Sequence, residues 1–249
     1  MTTPIPVILD CDPGHDDAVA ILLAVSSDAI DLLGVTTCFG NCSIDDATYN
    51  ARRILTLAGA PDVPVGRGAA VPLSAELELG NYVHGASGLD GPDMPEPAME
   101  ESPLSATELM KQLIDASPEK VTMVVTGPMT NMAQLLRDHP EVTEAITEVI
   151  FMGGSTERGN HTPSAEFNTF ADPEALQEVI DSGIPVRMVG LNLTHQALAV
   201  PEVVERMQAM EHVVGKLRGV DGFLRKLLPP SVEFRCTAGA RPLHDCCSY

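Results

Sequence analysis

Several residue types are scarce in this sequence, and their scarcity excludes whole classes of protein. It has no tryptophan, and aromatic residues make up only 4% of it. Basic side chains are also few, since 15 lysines and arginines stand against 35 aspartates and glutamates, which gives a formal net charge of −20. A surface of this sign repels phosphate backbones and anionic lipids. We therefore expect no nucleic acid polymer and no membrane among its partners.

The N-terminal segment has no basic region and no long apolar run, because Asp10 interrupts the apolar residues that begin it. It therefore predicts neither a signal peptide nor a membrane-spanning helix. The cysteines are too few and too irregularly spaced for a disulfide scaffold, so we expect reduced thiols and a cytoplasmic protein. These cysteines are Cys11, Cys38, Cys42, Cys236, Cys246 and Cys247.

The most informative stretch is residues 7–24, which places four carboxylates close together. A short apolar run that ends in aspartate is typical of a buried strand. Pro13 and Gly14 then break the strand, and the residues after them predict a helix with acids in its first turn, where the positive end of the helix dipole favours them. We therefore expect all four carboxylates at the carboxyl end of one strand. They are Asp10, Asp12, Asp16 and Asp17.

Strand-like and helix-like segments alternate along the rest of the chain, without internal repeats. This alternation predicts an α/β fold with an open, mostly parallel sheet and helices on both faces, and 249 residues suffice for a single domain of this kind. We predict strands at residues 30–37, 63–65, 121–125, 146–152 and 186–191. We predict helices after residue 43 to about 57, at 104–116, at 130–137 and from residue 173, with irregular loops at 66–102 and 155–170. A more helical part follows at about residues 201–228.

Polar residues follow several of the predicted strands, and ligands bind at the carboxyl ends of the strands in an open parallel sheet. Carboxylates gathered there without lysine or arginine would repel one another unless a cation lay among them. Aspartates, together with a strand-end carbonyl, suit Ca²⁺ or Mg²⁺ better than zinc. The residues alone therefore indicate a site for a hard cation. Those expected to converge are Asp12, Asp16, Asp17, Asn41, Thr126 and the polar loop at 160–168.

The sequence DCDPGHDDAVAILLA at residues 10–24 resembles the N-terminal signature of the inosine-uridine preferring nucleoside hydrolases. Further motifs resemble that family in its order, so the resemblance covers essentially the whole chain. They are GN at 40–41, HGASGLDG at 84–91, TGPMTN at 126–131, MGG at 152–154, the set Asn160, Glu166 and Asn168, and LTHQ at 193–196. The resemblance implies a Rossmann-like nucleoside hydrolase fold and hydrolysis of the N-glycosidic bond of a ribonucleoside to ribose and free base. It also implies a homo-oligomer, either a dimer or a tetramer.

The resemblance further implies a Ca²⁺ site. In it, Asp12 binds the ion and acts as general base on the attacking water. Asp17, the main-chain carbonyl of Thr126 and Asp245 are the other ligands, and Asp10 supports the site from behind.

The same resemblance assigns the substrate residues. Asp16 holds the ribose 2′-hydroxyl, and His84 and His244 lie near the nucleobase, where His244 is the candidate proton donor. The remaining substrate residues are Asn41, Met152, Asn160, Glu166 and Asn168, although Asn41 also suits a plain turn and Met152 also suits core packing. His15 lies at a variable position of the motif and receives no role. Purine or pyrimidine preference is left open.

These assignments are chemically coherent, since glycosidic cleavage proceeds through an oxocarbenium-like state and needs a water on one face of the sugar. Two other interpretations remain. Asp10 and Asp12 match the D-x-D pair of phosphatases, but Gly14 stands where that chemistry uses threonine or valine. His244, Cys246 and Cys247 could form a soft-metal site, but vicinal cysteines rarely chelate one ion together.

The residues after Asp245 differ from the family pattern, in which His-Asp is followed by Pro and further elements. We therefore expect that C-terminal elements of the family are missing from this chain. The alternative function that follows is a catalytically impaired protein of the same fold, which binds nucleoside or metal or assembles with partners.

Overall fold

The computed structural model describes residues 3–91 and 93–197, together with residues 200 and 202. Within these residues, six strands form one sheet in which every neighbouring pair is parallel. The strands are β1 (Ile5–Cys11), β2 (Ile30–Thr37), β3 (Val65–Arg67), β4 (Val121–Val125), β5 (Ile146–Met152) and β6 (Val186–Val189). Their spatial order is β3-β2-β1-β4-β5-β6. The predicted open parallel sheet is thereby confirmed.

Helices connect the strands, as parallel neighbours require. They are α1 (His15–Ser26), α2 (Ile44–Leu57), α3 (Asn81–His84), α4 (Ala106–Ala116), α5 (Thr130–Asp138), α6 (Phe167–Ala171), α7 (Pro173–Asp181) and α8 (Leu191–Thr194), with a 3₁₀ helix at Pro140–Ala145. None of the helices in the described part of the chain is both long and apolar enough to cross a membrane.

Two apolar cores lie on opposite faces of the sheet. One contains side chains of α1 and α2, such as Ile21 and Ile54, and the other contains side chains of α4, α5 and α7, such as Met110 and Met132. Consecutive residues of β1 alternate between them, because successive side chains of a strand point to opposite faces. Helices therefore cover both faces, as predicted. The three cysteines within the described residues, Cys11, Cys38 and Cys42, are buried and form no disulfide there.

Side-chain caps explain where several helices begin. The Ser43 hydroxyl accepts a hydrogen bond from the Asp46 amide at 3.2 Å, and the Ser105 hydroxyl accepts one from the Glu108 amide at 3.3 Å. Asp172 caps α7, which begins with proline. Such caps satisfy amides that have no partner inside the helix. The predicted starts of α2 and α7 agree with this structure, whereas α4 begins two residues later than predicted.

Other boundaries differ from the prediction. The third strand is two residues further along than the predicted 63–65, because residues 65–67 are those that pair with β2. Strand β6 ends at Val189 rather than at the predicted residue 191, since Gly190 is the N-cap of α8. The loops at 66–102 and 155–170 contain α3 and the start of α6. Apart from residue 202, the helical region predicted at 201–228 lies outside the described residues.

The strand order of the sheet reverses at its centre, between β1 and β4. The chain leaves β1 towards β2 and β3, then returns to β4 on the other side of β1. The connections after β1 and β4 therefore diverge, which opens a crevice at the carboxyl ends of these two strands. Asp12, Asp16 and Asp17 follow β1, and Thr126 follows β4, so these residues lie at this crevice.

Candidate active site

Asn41 organises the aspartates that follow β1. Its amide nitrogen donates to Asp12 Oδ2 at 2.7 Å, and its side-chain nitrogen donates to the Asp12 carbonyl at 3.0 Å and to Asp17 Oδ2 at 3.3 Å. Gly40 lets this segment approach, because a Cβ there would lie 1.9 Å from Asp12 Oδ2. Asn41 is therefore more than a turn residue, since it fixes two of the acids.

Asp17 links the start of α1 to the end of β4. Its Oδ2 accepts a hydrogen bond from the Gly14 amide at 2.9 Å, and its Oδ1 accepts one from the Thr126 hydroxyl at 2.7 Å. Because the Thr126 amide in turn donates to the Asp10 carbonyl at 2.8 Å, Thr126 is held against β1 from two sides. The structure thus brings together Asp12, Asp17 and Thr126, as the sequence predicts.

Asp12 lies in an electrostatically unfavourable place for a carboxylate. It is 1% exposed, and its Oδ1 has no hydrogen-bond partner within the described residues. Burial, followed by repulsion from the charge of Asp17, raises the pKa of Asp12 well above its usual value. A cation beside Oδ1 would relieve both the lost hydration and the repulsion.

The donor set therefore fits a hard cation, although the described residues hold only part of it. No group of three or more His, Cys, Asp or Glu side chains in residues 3–91 and 93–197 is arranged to hold a metal ion by itself. The predicted set adds the Thr126 carbonyl, whose oxygen is the kind of ligand that Ca²⁺ accepts. Asp245 and His244, both predicted for this site, lie outside the described residues.

Asp10 lies behind the other aspartates. Its Oδ1 accepts hydrogen bonds from the Thr36 hydroxyl at 2.7 Å and from the Asn131 side chain at 2.8 Å. Burial raises the pKa of Asp10 to about 6, against the lowering effect of these two bonds. Asp10 therefore ties β2 and α5 to β1. Asn131 belongs to the TGPMTN motif, but the sequence predicted neither a role for it nor its hydrogen bond to Asp10.

A cavity of about 190 Å³ opens above these residues. Eight of its lining residues were predicted as site residues: Asp16, Asn41, His84, Thr126, Met152, Asn160, Glu166 and Asn168. The other four were missed: Gly80, Tyr82, Val83 and Phe167. The volume is below the roughly 300 Å³ that marks the lower end of ordinary ligand pockets.

The polar residues of the 160–168 loop hold one another around this cavity. The Asn168 side chain donates to the Thr126 carbonyl at 2.7 Å and to the Met152 carbonyl at 3.2 Å. The Asn160 side-chain oxygen accepts from the Phe167 amide at 3.0 Å. Met152 is buried and also lines the cavity, so it is both core and floor.

Glu166 begins α6 and is almost completely buried. Its carboxylate accepts three main-chain hydrogen bonds at 3.0 Å, from Gly154, Asn168 and Thr169. Burial raises the pKa of Glu166, although these bonds act in the opposite direction. A carboxylate has about four acceptor positions, so roughly one remains for a ligand in the cavity.

His84 lies at the cavity beside another histidine. Its Nε2 is 3.7 Å from Asp16 Oδ1, and its Nδ1 is 3.0 Å from Nδ1 of His15. The other ring nitrogen of His15 is 3.0 Å from the Asp90 carbonyl oxygen. His84 is therefore held in place rather than solvated in its loop. Nothing in the sequence indicated the part played by His15.

The profile of the family described as "Inosine-uridine preferring nucleoside hydrolase" matches residues 7–248. The chain belongs to this family. This nucleoside hydrolase is 46% identical over 245 residues to the pyrimidine-specific ribonucleoside hydrolase RihA of Photobacterium profundum. The aligned residues cover 98% of the chain and 78% of the relative. It is 48% identical to the protein of the same name from Shewanella woodyi, over 98% of the chain and 77% of the relative.

Solved structures agree with the fold of this nucleoside hydrolase. A plant nucleoside hydrolase, PpNRh1, superposes with a TM-score of 0.86 at 31% identity, over 98% of the chain and 77% of the plant protein. A purine-preferring ribonucleoside hydrolase from Gardnerella vaginalis gives a TM-score of 0.82 at 28% identity, over 98% of the chain and 78% of that protein. The predicted fold is confirmed, and so is the enzyme class, a hydrolase that acts on N-ribosyl bonds.

Proposed function

We propose that this nucleoside hydrolase cleaves the N-glycosidic bond of pyrimidine ribonucleosides, with Asp12 as general base and with Ca²⁺ as cofactor. The observation that carries the chemistry is the buried Asp12 Oδ1, which has no hydrogen-bond partner within the described residues. Asn41, whose amide donates to the other oxygen of Asp12, lines the polar cavity. The support for pyrimidines is that relatives 46–48% identical over 98% of the chain are named pyrimidine-specific.

Asp12, Asp17 and the Thr126 carbonyl would hold the Ca²⁺, and Asp245 remains the predicted fourth ligand. When bound there, a calcium ion lowers the pKa of a coordinated water and neutralises the repulsion between the aspartates. The structure favours an ion at this place because Asn41 and Thr126 fix the two carboxylates without adding any positive charge.

Asp12 takes the proton of the attacking water. Its Oδ2 already accepts from the Asn41 amide, so Oδ1 is the acceptor that we assign to this step. We assign Asp10 a supporting role, because its Oδ1 accepts from Thr36 and Asn131, neither of which lines the cavity.

The sugar is held by the polar wall of the cavity. Asp16 binds the 2′-hydroxyl, and Asn160, Glu166 and Asn168 hold the other hydroxyls. Because Asn168 also donates to the Thr126 carbonyl, it places the sugar relative to the cation ligands. The acidic surroundings stabilise the positive charge that develops on the sugar ring as the bond breaks.

The nucleobase lies towards His84, Tyr82 and Val83, which line the cavity. Tyr82 and Val83 are exposed, so this part of the cavity opens to solvent. His84 contacts the base in this proposal. His244, the predicted proton donor to it, stays a prediction. A dimer or tetramer and a cytoplasmic location also stay predictions, and sedimentation and cell fractionation respectively would test them.

Turnover of uridine, cytidine and inosine, measured with EDTA and after adding Ca²⁺ back, tests the proposal. We expect release of uracil and cytosine that is faster than release of hypoxanthine, abolished by EDTA and restored by Ca²⁺. The variant D12N should lose about 10²- to 10⁴-fold in kcat, the range for loss of a general base. D31N, which changes an exposed aspartate of β2, is the matched control.

Other outcomes would contradict parts of this proposal. Full activity in EDTA would refute the role of Ca²⁺ as cofactor. Full activity of D12N would refute the assignment of Asp12 as general base. Calorimetric binding of ribose or Ca²⁺ without turnover of any nucleoside would favour the catalytically impaired binding protein instead.

A further inference from the structure

Two loops face each other across the mouth of the cavity. The first carries Tyr82 and His84, and the second carries Asn160 and His161 before it enters α6. Gly80 at the base of the first loop is close to the second, because a Cβ there would lie 3.3 Å from the Phe167 ring. The position of one loop relative to the other therefore sets the shape of the cavity.

His161 joins the two loops through both of its ring nitrogens. Its Nδ1 is 3.2 Å from the Tyr82 hydroxyl oxygen, and its Nε2 is 3.2 Å from Glu78 Oε1. A carboxylate only accepts hydrogen bonds, so Nε2 carries the proton in a neutral imidazole. Nδ1 is then the acceptor for the Tyr82 hydroxyl. Every polar group of this chain of hydrogen bonds has a consistent role.

The His161 ring is also fixed by packing. Its centroid is 5.4 Å from that of Phe167, in an edge-to-face arrangement, and 4.4 Å from that of Phe170. The side chain is only 13% exposed, whereas its partner Glu78 is 48% exposed and Tyr82 is 67% exposed. The second loop therefore presents a packed ring, and the first loop contacts it with two more exposed side chains.

We propose that Glu78, His161 and Tyr82 form a latch, in which His161 is a positioning residue that holds the first loop closed over the nucleobase. The latch rests on the proposed function, since it acts on the same cavity. It keeps the Tyr82 ring at the open end of the cavity and steadies the segment that carries His84. Both hydrogen bonds lie near solvent, so the latch opens for substrate entry and closes around the bound nucleoside.

A latch of this kind improves binding more than chemistry, because it reduces the ordering that the substrate must impose on the loop. We expect Y82F, which removes only the hydroxyl, and H161A to raise KM for uridine about 3- to 10-fold, the loss that one or two exposed hydrogen bonds produce. We expect kcat to change by less than about twofold. The double variant should be no worse than H161A, because both changes break the same chain.

Y49F provides a matched control. It removes a tyrosine hydroxyl that donates to Glu96 at 2.7 Å, and neither residue lines the cavity. Its KM should equal that of the unmodified protein. Thermal unfolding temperatures of Y82F and Y49F should also agree with that of the unmodified protein, since both hydroxyls lie near solvent. H161A should unfold at a lower temperature, because it also removes a ring that packs against Phe167 and Phe170.

Hydrogen exchange of the amides at residues 80–91 separates the latch from the proposed function. Y82F and H161A should both increase exchange in this segment, and Y49F should not, whether or not any nucleoside is hydrolysed. Absence of turnover in the unmodified protein would therefore refute the proposed function and leave this measurement intact. Unchanged exchange in both variants would overturn the latch. A fall in kcat without a rise in KM would also overturn it and would assign Tyr82 to the chemistry.

Discussion

Replacing Asn131 by alanine should destabilise the protein far more than the size of the side chain suggests. Asn131 is completely buried at the start of α5. Its side-chain nitrogen donates to Asp10 Oδ1 at 2.8 Å and to the Thr37 carbonyl at 2.9 Å, and its oxygen accepts from the Ala69 amide at 2.8 Å. One side chain thus connects β1, β2 and the segment after β3.

The magnitude follows from these three bonds. A buried hydrogen bond contributes about 0.5–1.5 kcal/mol, and a buried group left without its partner costs about 1–3 kcal/mol. Asp10 keeps its bond to the Thr36 hydroxyl, so its loss is partial. Asn131→Ala should therefore lower the free energy of unfolding by about 3–5 kcal/mol, which is more than most single substitutions cost.

Urea denaturation followed by circular dichroism measures this change. Asn131→Asp is the informative second variant, because it keeps the volume but places a second carboxylate against Asp10, and it should be at least as destabilising as alanine. Asn192→Ala, at an exposed position of α8, should change stability by less than about 0.5 kcal/mol. A loss below about 1 kcal/mol for Asn131→Ala, or an unchanged Asn131→Asp, would refute the reasoning, since three buried bonds cannot then be in place.

Two further predictions concern Thr126 and Glu166, two buried residues that line the cavity. Thr126→Val keeps the main-chain carbonyl but removes the hydroxyl that donates to Asp17, so Ca²⁺ affinity measured by calorimetry should fall about 10-fold. Thr126→Ser keeps a hydroxyl and should bind Ca²⁺ as the unmodified protein does. Equal affinity of the two variants would contradict this prediction. The pKa of Glu166 is raised above its usual 4.5, so the folded state holds the proton more tightly than the unfolded state, and stability should fall as pH rises from 4.5 to the folded pKa. Glu166→Gln should lack this fall, and parallel stability curves for the two proteins would contradict the assignment.

The strands in the centre of the sheet could be predicted from local pattern alone. The bounds of β4 and β5 agree with the predicted 121–125 and 146–152, because each is an apolar run that ends in glycine or a polar residue. Edge strands were less accessible. β3 has three residues, and its position depends on pairing with β2, which no local pattern reveals.

The site shows the same division. Aspartates and asparagines at strand ends could be predicted because the topology of a parallel sheet brings strand ends together. Tyr82, Phe167 and His15 could not, since their roles arise from contacts between loops distant in sequence. Asn131 lay in a recognised motif, but its bond to Asp10 crosses 121 residues.

The adjacency of β1 and β4 has a consequence for how this enzyme is made. The hydrogen bond between Thr126 and Asp17 spans 109 residues, so closing it requires the intervening strands and helices to be largely in place. A nascent chain therefore carries its acidic motif unassembled until Thr126 has been synthesised. The proposed cation site therefore cannot form before β4 has been synthesised, whereas β5 and β6 follow later in the chain.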